Sequence, residues 1–126
     1  MSTVIDSSAL LALLWSEPGH QTVLAAIDGA AISAVNMAEV ASKLADRGIT
    51  GVAVSSTLAR FPIEVVPFDE RQAMRTGALR DATRRLGLSI GDRACLGLAL
   101  AEGAKILTAD RHWARLDLGI DITLIR

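Results

Sequence analysis

Short apolar segments alternate with longer helical patterns over the whole of this chain, and that order narrows the fold more than any other feature. Thr3 to Asp6 reads as a short buried strand that runs into Ser7-Ser8 and a helical pattern from Ala9 to Trp15, stopped by Glu17-Pro18-Gly19. A second helix, His20 to Asp28, ends at Gly29. Ala30 to Ala34 reads as a strand, Asn36 as the N-cap of a helix reaching Arg47, and Thr50 to Arg60 as a further helix. Ile63 to Pro67 has the β-branched content of a strand closed by proline. Glu70 to Leu86 is apolar at Ala73, Met74, Leu79 and Ala82 with arginines between them, which predicts an amphipathic helix stopped by Gly87. Ser89 caps a largely apolar helix through Ala101, and strands at Lys105 to Thr108 and Ile120 to Ile125 flank a short helix at Arg111 to Leu116. Strands alternating with helices imply an α/β fold whose short, mainly parallel sheet is covered on both faces.

Composition agrees with one such unit spanning residues 1–126. Of the 126 residues 51% are hydrophobic and 21% charged, enough apolar material for one buried core, with no linker, repeat or low-complexity stretch to divide it. The net charge of −1 argues against a protein that coats polyanions in bulk. With aromatics at 3% and no tyrosine, the stacking platforms that read single-stranded bases on a sheet face are not available. The lone Cys95 makes no internal disulfide, so the expected compartment is a reducing one, the cytoplasm. The longest apolar runs, Ala9 to Trp15 and Ala94 to Ala101, fall well short of the about 18 residues of a membrane helix. Asp6 precedes the first apolar run and no basic segment does, so no signal peptide is expected.

In a parallel sheet the sites lie beyond the carboxyl ends of the strands, and the polar residues that fall there are mostly acids. Asp6 ends the first strand, Glu39 opens the helix after the second, Asp92 opens the late apolar helix, and Asp110 follows the strand ending at Thr108. Right-handed crossovers bring such junctions to one edge of the sheet, so acids 33, 53 and 18 residues apart can converge. Carboxylates held together repel one another unless they are protonated or share a cation. Oxygen ligands without His or Cys suit Mg²⁺ or Mn²⁺ better than Zn²⁺, and a pair of such ions about 4 Å apart supports phosphodiester hydrolysis. Each acid also has an ordinary structural role: Asn36-x-x-Glu39 and Ser89-x-x-Asp92 resemble capping boxes, and Asp6 and Asp110 suit N-caps. The two roles are compatible, because a carboxylate at a helix N-terminus is stabilised there and still offers a free oxygen.

Four local sequences then carry a resemblance. Val4-Ile5-Asp6-Ser7-Ser8-Ala9-Leu10, Asn36-Met37-Ala38-Glu39-Val40, Gly91-Asp92-Arg93-Ala94-Cys95-Leu96 and Leu107-Thr108-Ala109-Asp110-Arg111 resemble, in order, the signature segments of PIN-domain ribonucleases, most closely the VapC-type toxins of bacterial toxin–antitoxin pairs. The resemblance implies a three-layer α/β/α fold and an Mg²⁺-dependent endoribonuclease, with Mn²⁺ able to substitute. It implies that Asp6, Glu39, Asp92 and Asp110 are the catalytic, metal-ligating acids, Asp110 either directly or through water. It further implies a VapB-type antitoxin that covers the metal site, and a homodimer. The choice of RNA as substrate rests on this resemblance alone.

Around the acids, Ser7 and Thr108 are placed to orient a carboxylate or a metal-bound water, or to cap helix and strand ends. Arg93 and Arg111 each follow an acid and suit either phosphate contacts or exposed ion pairs. From Arg71 to Arg93 six arginines face two acids, a strip suited to RNA or simply to solvent. Trp113 and His112 have weaker claims to base stacking and acid catalysis, while Cys95, His20 and Trp15 read as structural. Two other classes compete: a non-catalytic PIN-like interaction module, and a receiver-like phosphoacceptor domain. The second fits poorly, since Asp6 is followed by two serines and Lys105 starts a strand instead of ending one. No nucleotide-binding glycine motif occurs.

Overall fold

A computed structural model of the chain describes residues 3–126. Five parallel strands, β1 (Thr3–Ile5), β2 (Ala30–Ser33), β3 (Glu64–Val66), β4 (Lys105–Thr108) and β5 (Ile122–Leu124), form one sheet in the order β3-β2-β1-β4-β5. Between them run α1 (Ser7–Leu14), α2 (His20–Ala25), α3 (Ala34–Asp46), α4 (Val52–Leu58), α5 (Glu70–Ala82) and α6 (Ile90–Glu102). Arg84–Leu86 and Arg111–Arg115 are 3₁₀ turns. The order of strands reverses at β1, so the chain leaves β1 towards β2 on one side and returns to β4 on the other. In parallel sheets such a reversal is where functional groups gather, and here it lies beyond the carboxyl ends of β1 and β4.

The central strands are buried on both faces, which is why β1 and β2 read as continuous apolar runs without alternation. Their side chains sort into two cores. Ile5, Ile32 and Leu107 pack with Ala9, Leu10, Leu13, Val40 and Leu44 on the side of α1 and α3. Val4 and Ile106 pack with Leu79, Leu96, Leu98 and Trp113 on the side of α5 and α6. At the edge, β3 is exposed at Glu64 and Val65, and its mixed pattern follows.

Two sequence-based expectations change. The N-cap of α3 is Ser33, whose side chain accepts from the Val35 amide, so Asn36 lies inside the first turn and Asn36-x-x-Glu39 is not a capping box. Ala34 and Val35 continue the helix backwards because β2 runs into it without an intervening loop. In α5 the buried residues are Thr76 and Leu79, whereas Met74 is 71% exposed. The reason lies in α6: the Arg93 guanidinium enters the seam and donates from Nη1 to the Thr76 carbonyl at 3.1 Å, and Gly97 leaves room for Thr76 and Leu79. A seam occupied by a guanidinium and small groups rotates the helix away from its apolar stripe.

Candidate active site

Asp6 is set by register. Ile5 pairs with Leu107, so the next residue on each strand, Asp6 and Thr108, stand side by side. Thr108 Oγ1 donates to Asp6 Oδ2 at 2.6 Å, while Oδ1 accepts from Ser8 Oγ at 2.7 Å and from the Ala9 amide at 2.9 Å. Asp6 is therefore the N-cap of α1 and is only 4% exposed. Burial pushes its carboxyl up from 3.8 to about 6, against the lowering effect of those three hydrogen bonds and with a small further push from Asp92. Ser8 also accepts from the Ala109 amide at 2.9 Å, and Thr108 Oγ1 from the Asp110 amide at 3.0 Å, so the two hydroxyls stitch the β1 and β4 ends together.

Glu39 reaches the same edge from α3. Its Oε1 accepts from Ser7 Oγ at 3.1 Å and from Asn36 Nδ2 at 2.8 Å. Asp92 stands at the third position of α6 in a complete capping box with Ser89. Burial again raises its carboxyl, the Ser89 contacts lower it, and the charges of Asp110 and Glu39 raise it. Asp110 caps the turn that follows β4, accepting from the His112 amide at 3.0 Å. These mutual effects link all four acids in one field. Beneath them lies the Cys95 thiol, pushed up by its own burial and then by Asp6, Asp92 and Glu39.

Among the described residues the ion pairs are Arg84–Asp81 and Arg126–Glu17, so none of the four acids is neutralised by a basic side chain. Nor are three His, Cys, Asp or Glu side chains among the described residues gathered as a metal-binding group. Glu39 and Asp92 direct oxygens to Ser7, Asn36 and the Ser89 cap. The donor set still fits a hard divalent ion: it is all oxygen, anionic, partly desolvated and without a cationic partner. Asp6 and Glu39 each keep carboxylate lone pairs beyond the bonds just described.

Ser7 and Thr108 both contact carboxylates, the orienting role their positions suggested. Arg111 is exposed beside Asp110, and Arg71, Arg80, Arg84 and Arg85 are also exposed. Arg93 is neither a phosphate clamp nor an exposed ion pair: it is 8% exposed and turned into the α5–α6 seam, because that face of α6 is covered. Trp113 is fully buried in the core and presents no face for a base, whereas His112 is exposed. Cys95 is a core thiol as expected. Three contributors were missed. Ser8 bridges Asp6 and Ala109, Asn36 holds Glu39, and Gly91 leaves space for the Glu39 carboxylate. The signals for the last two were an amide three residues before a glutamate on one helix, and a glycine inside a helix, where it costs stability.

The comparisons with known proteins follow this geometry. The PIN domain family model matches residues 3–118. A toxin–antitoxin complex from Klebsiella pneumoniae contains a chain of similar fold, with a TM-score of 0.79, 18% identity, and coverage of 99% of this chain and 98% of that one. The VapBC2 complex from Rickettsia felis, bound to a DNA fragment from its promoter, matches with a TM-score of 0.73, 21% identity and 98% coverage of both chains. VapC20 of Mycobacterium tuberculosis, a sarcin-ricin loop cleaving toxin, matches with a TM-score of 0.70, 15% identity, and coverage of 90% and 93%. No curated protein sequence matches the chain. The reversed parallel sheet, Asp6 and Asp110 just beyond the ends of β1 and β4, and a family match over nearly the full length agree, and the chain belongs to the PIN domain family.

Proposed function

We propose that this PIN domain is the toxin of a type II toxin–antitoxin pair and an Mg²⁺-dependent endoribonuclease, with Mn²⁺ able to substitute. One observation carries the reading: Asp6 and Asp92 are partly or wholly buried carboxylates, Asp6 facing the charge of Asp92 and Asp92 the charges of Asp110 and Glu39, with no basic side chain among the described residues paired to any of the four. Such a field is stabilised by a divalent cation, and these four acids would hold it. Such an ion, when bound, would supply Lewis acidity to a water and to the leaving oxygen of a phosphodiester.

The chain's own residues do the rest. Thr108 and Ser8 hold the Asp6 carboxylate in one orientation, and Ser7 and Asn36 hold Glu39. Asp92 keeps one oxygen on the Ser89 amide, which leaves its other oxygen for a ligand. Arg111, exposed beside Asp110, takes a phosphate next to the scissile one, and the exposed arginines of α5 extend that contact. RNA as substrate is supported by the similarity to a toxin that cleaves the sarcin-ricin loop. An antitoxin partner is supported by the similarity to chains from toxin–antitoxin complexes, and a homodimer in the cytoplasm accords with the family resemblance.

The test is cleavage of RNA by the purified, antitoxin-free chain with Mn²⁺, with EDTA, and as Asp6→Asn. Cutting that needs Mn²⁺ and vanishes in the variant supports the reading. A chain that binds Mn²⁺ and cuts nothing is the interaction module instead, and EDTA-resistant cutting overturns the metal requirement.

A further inference from the structure

Asn36 is more costly than its packing requires. It is 1% exposed, and its Nδ2 donates both to Glu39 Oε1 at 2.8 Å and to the Gly91 carbonyl at 3.0 Å. Both partners are acceptors, so the amide cannot be reversed, and its own Oδ1 is left buried without a hydrogen bond. An orphaned buried acceptor destabilises, and a leucine, which shares the branching at Cγ, would carry none. The Gly91 carbonyl belongs to α6 and keeps its place in the helix ladder either way. Packing of α3 on α6 therefore does not call for an amide at this position. The Glu39 carboxylate does.

Gly91 completes the argument from the other side. A Cβ there would lie 2.5 Å from Glu39 Oε2 and 2.6 Å from Oε1, so the carboxylate rests directly on the glycine backbone. Glutamate has three rotatable side-chain bonds, and the charge of Asp92, one residue beyond Gly91, pushes it away. Ser7 offers it a single bond from α1. We propose that Asn36 is a positioning residue which, with Gly91, forms a seat that fixes the Glu39 carboxylate against the first turn of α6. Its consequence for metal and cleavage rests on the nuclease reading, whereas the seat itself does not.

The experiment compares wild type, Asn36→Leu and Gly91→Ala, each also in a Glu39→Ala background. Three properties are read: the Glu39 conformation in metal-free crystals, the Mn²⁺ midpoint from thermal shift, and the kinetics of RNA cleavage at saturating Mn²⁺. Asn36→Leu is expected to melt at or above the wild-type temperature while Glu39 leaves Gly91. Its Mn²⁺ midpoint rises at least about tenfold, and kcat falls at least about tenfold with KM within about twofold. The change in Mn²⁺ midpoint does not survive in the Glu39→Ala background, where that midpoint and not cleavage is compared, since the effect passes through that carboxylate. Gly91→Ala gives the same pattern by crowding the seat, and decides the matter if Asn36→Leu does not fold. Glu39 unmoved in Asn36→Leu, or a midpoint change that persists without Glu39, overturns the proposal. So does a large fall in melting temperature with Mn²⁺ binding and kcat intact. If wild type neither takes Mn²⁺ nor cuts RNA, the nuclease reading fails, and the metal-free Glu39 conformation alone decides the seat.

Discussion

Asp6 and Glu39 are each held by a partner from a distant part of the chain in addition to local bonds, whereas Asp92 and Asp110 are held by local caps alone. Thr108, 102 residues from Asp6, supplies its shortest hydrogen bond, and Glu39 is held by Ser7 from 32 residues away. Asp92 is fixed by Ser89 three residues before it, and Asp110 by the His112 amide two residues after it. Strand register fixes Asp6 inside the core, and the packing of α1, α3 and α6 seats Glu39. The second pair rests on local caps, each worth about 1 kcal/mol. One half of the site is fixed across the fold, and the other half by bonds that break without disturbing it.

The largest effect is expected where the half fixed across the fold is broken. Asp6→Asn should reduce RNA cleavage by about 1,000-fold or more, measured as single-turnover rate with Mn²⁺, since it removes the most enclosed ligand charge. The same variant should make the metal-free protein more stable. The folded Asp6 carboxyl sits at about 6 against 3.8 for an ordinary one, so between those values the folded state holds a proton that the unfolded state has lost. Stability of metal-free wild type therefore falls as pH rises from about 4 to about 6, by up to about 3 kcal/mol, and stays reduced above. Urea melts across that range should show the slope in wild type and its loss in Asp6→Asn. A wild-type profile that rises instead would mean the carboxyl is neutralised by a partner.

A smaller effect sharpens the contrast. Thr108→Val removes the bond to Asp6 Oδ2 and the acceptor for the Asp110 amide, leaving the Asp6 carboxyl still higher. Cleavage should fall by about 10- to 100-fold, and the loss should be partly recovered at high Mn²⁺. The smallest effect belongs to the local half. Ser89→Ala breaks the capping box and should cost about 1 kcal/mol in a urea melt, with cleavage changed by less than about threefold. A rate loss there as large as that of Thr108→Val would erase the distinction between the two halves.

What the sequence made legible follows the same division. The locally determined features were readable: strands and helices in their order, the Ser89 box, and the caps at Asp6 and Asp110. Asp6 and Asp110 could be assigned to strand-to-helix junctions because each is written in a few consecutive residues, whereas Asp92 opens a helix that follows α5 and a 3₁₀ turn, and Glu39 lies in the second turn of α3. The start of α3 was misplaced by three residues, at Asn36 instead of Ser33, since nothing local tells that β2 hands over at Ser33 without a loop. The inward turn of Arg93 and the exposure of Met74 were hidden for a different reason. Both depend on how α5 and α6 rotate against each other, which is decided by pairs of residues 17 or more apart. The Ser8 bridge and the Gly91 seat share that origin.

Cys95 gives the molecule a clock. Wholly buried beneath the acids and with its thiol pushed well above the usual range, it offers no thiolate to an alkylating reagent while α6 is docked. Modification in native buffer then proceeds only through opening of that helix, and its rate reads the free energy of opening. A cation bound between the acids must be released or carried along when α6 lifts, so Mn²⁺ should slow the reaction in proportion to its occupancy. The lone thiol thereby times the motion of the helix that carries Asp92, with no label added.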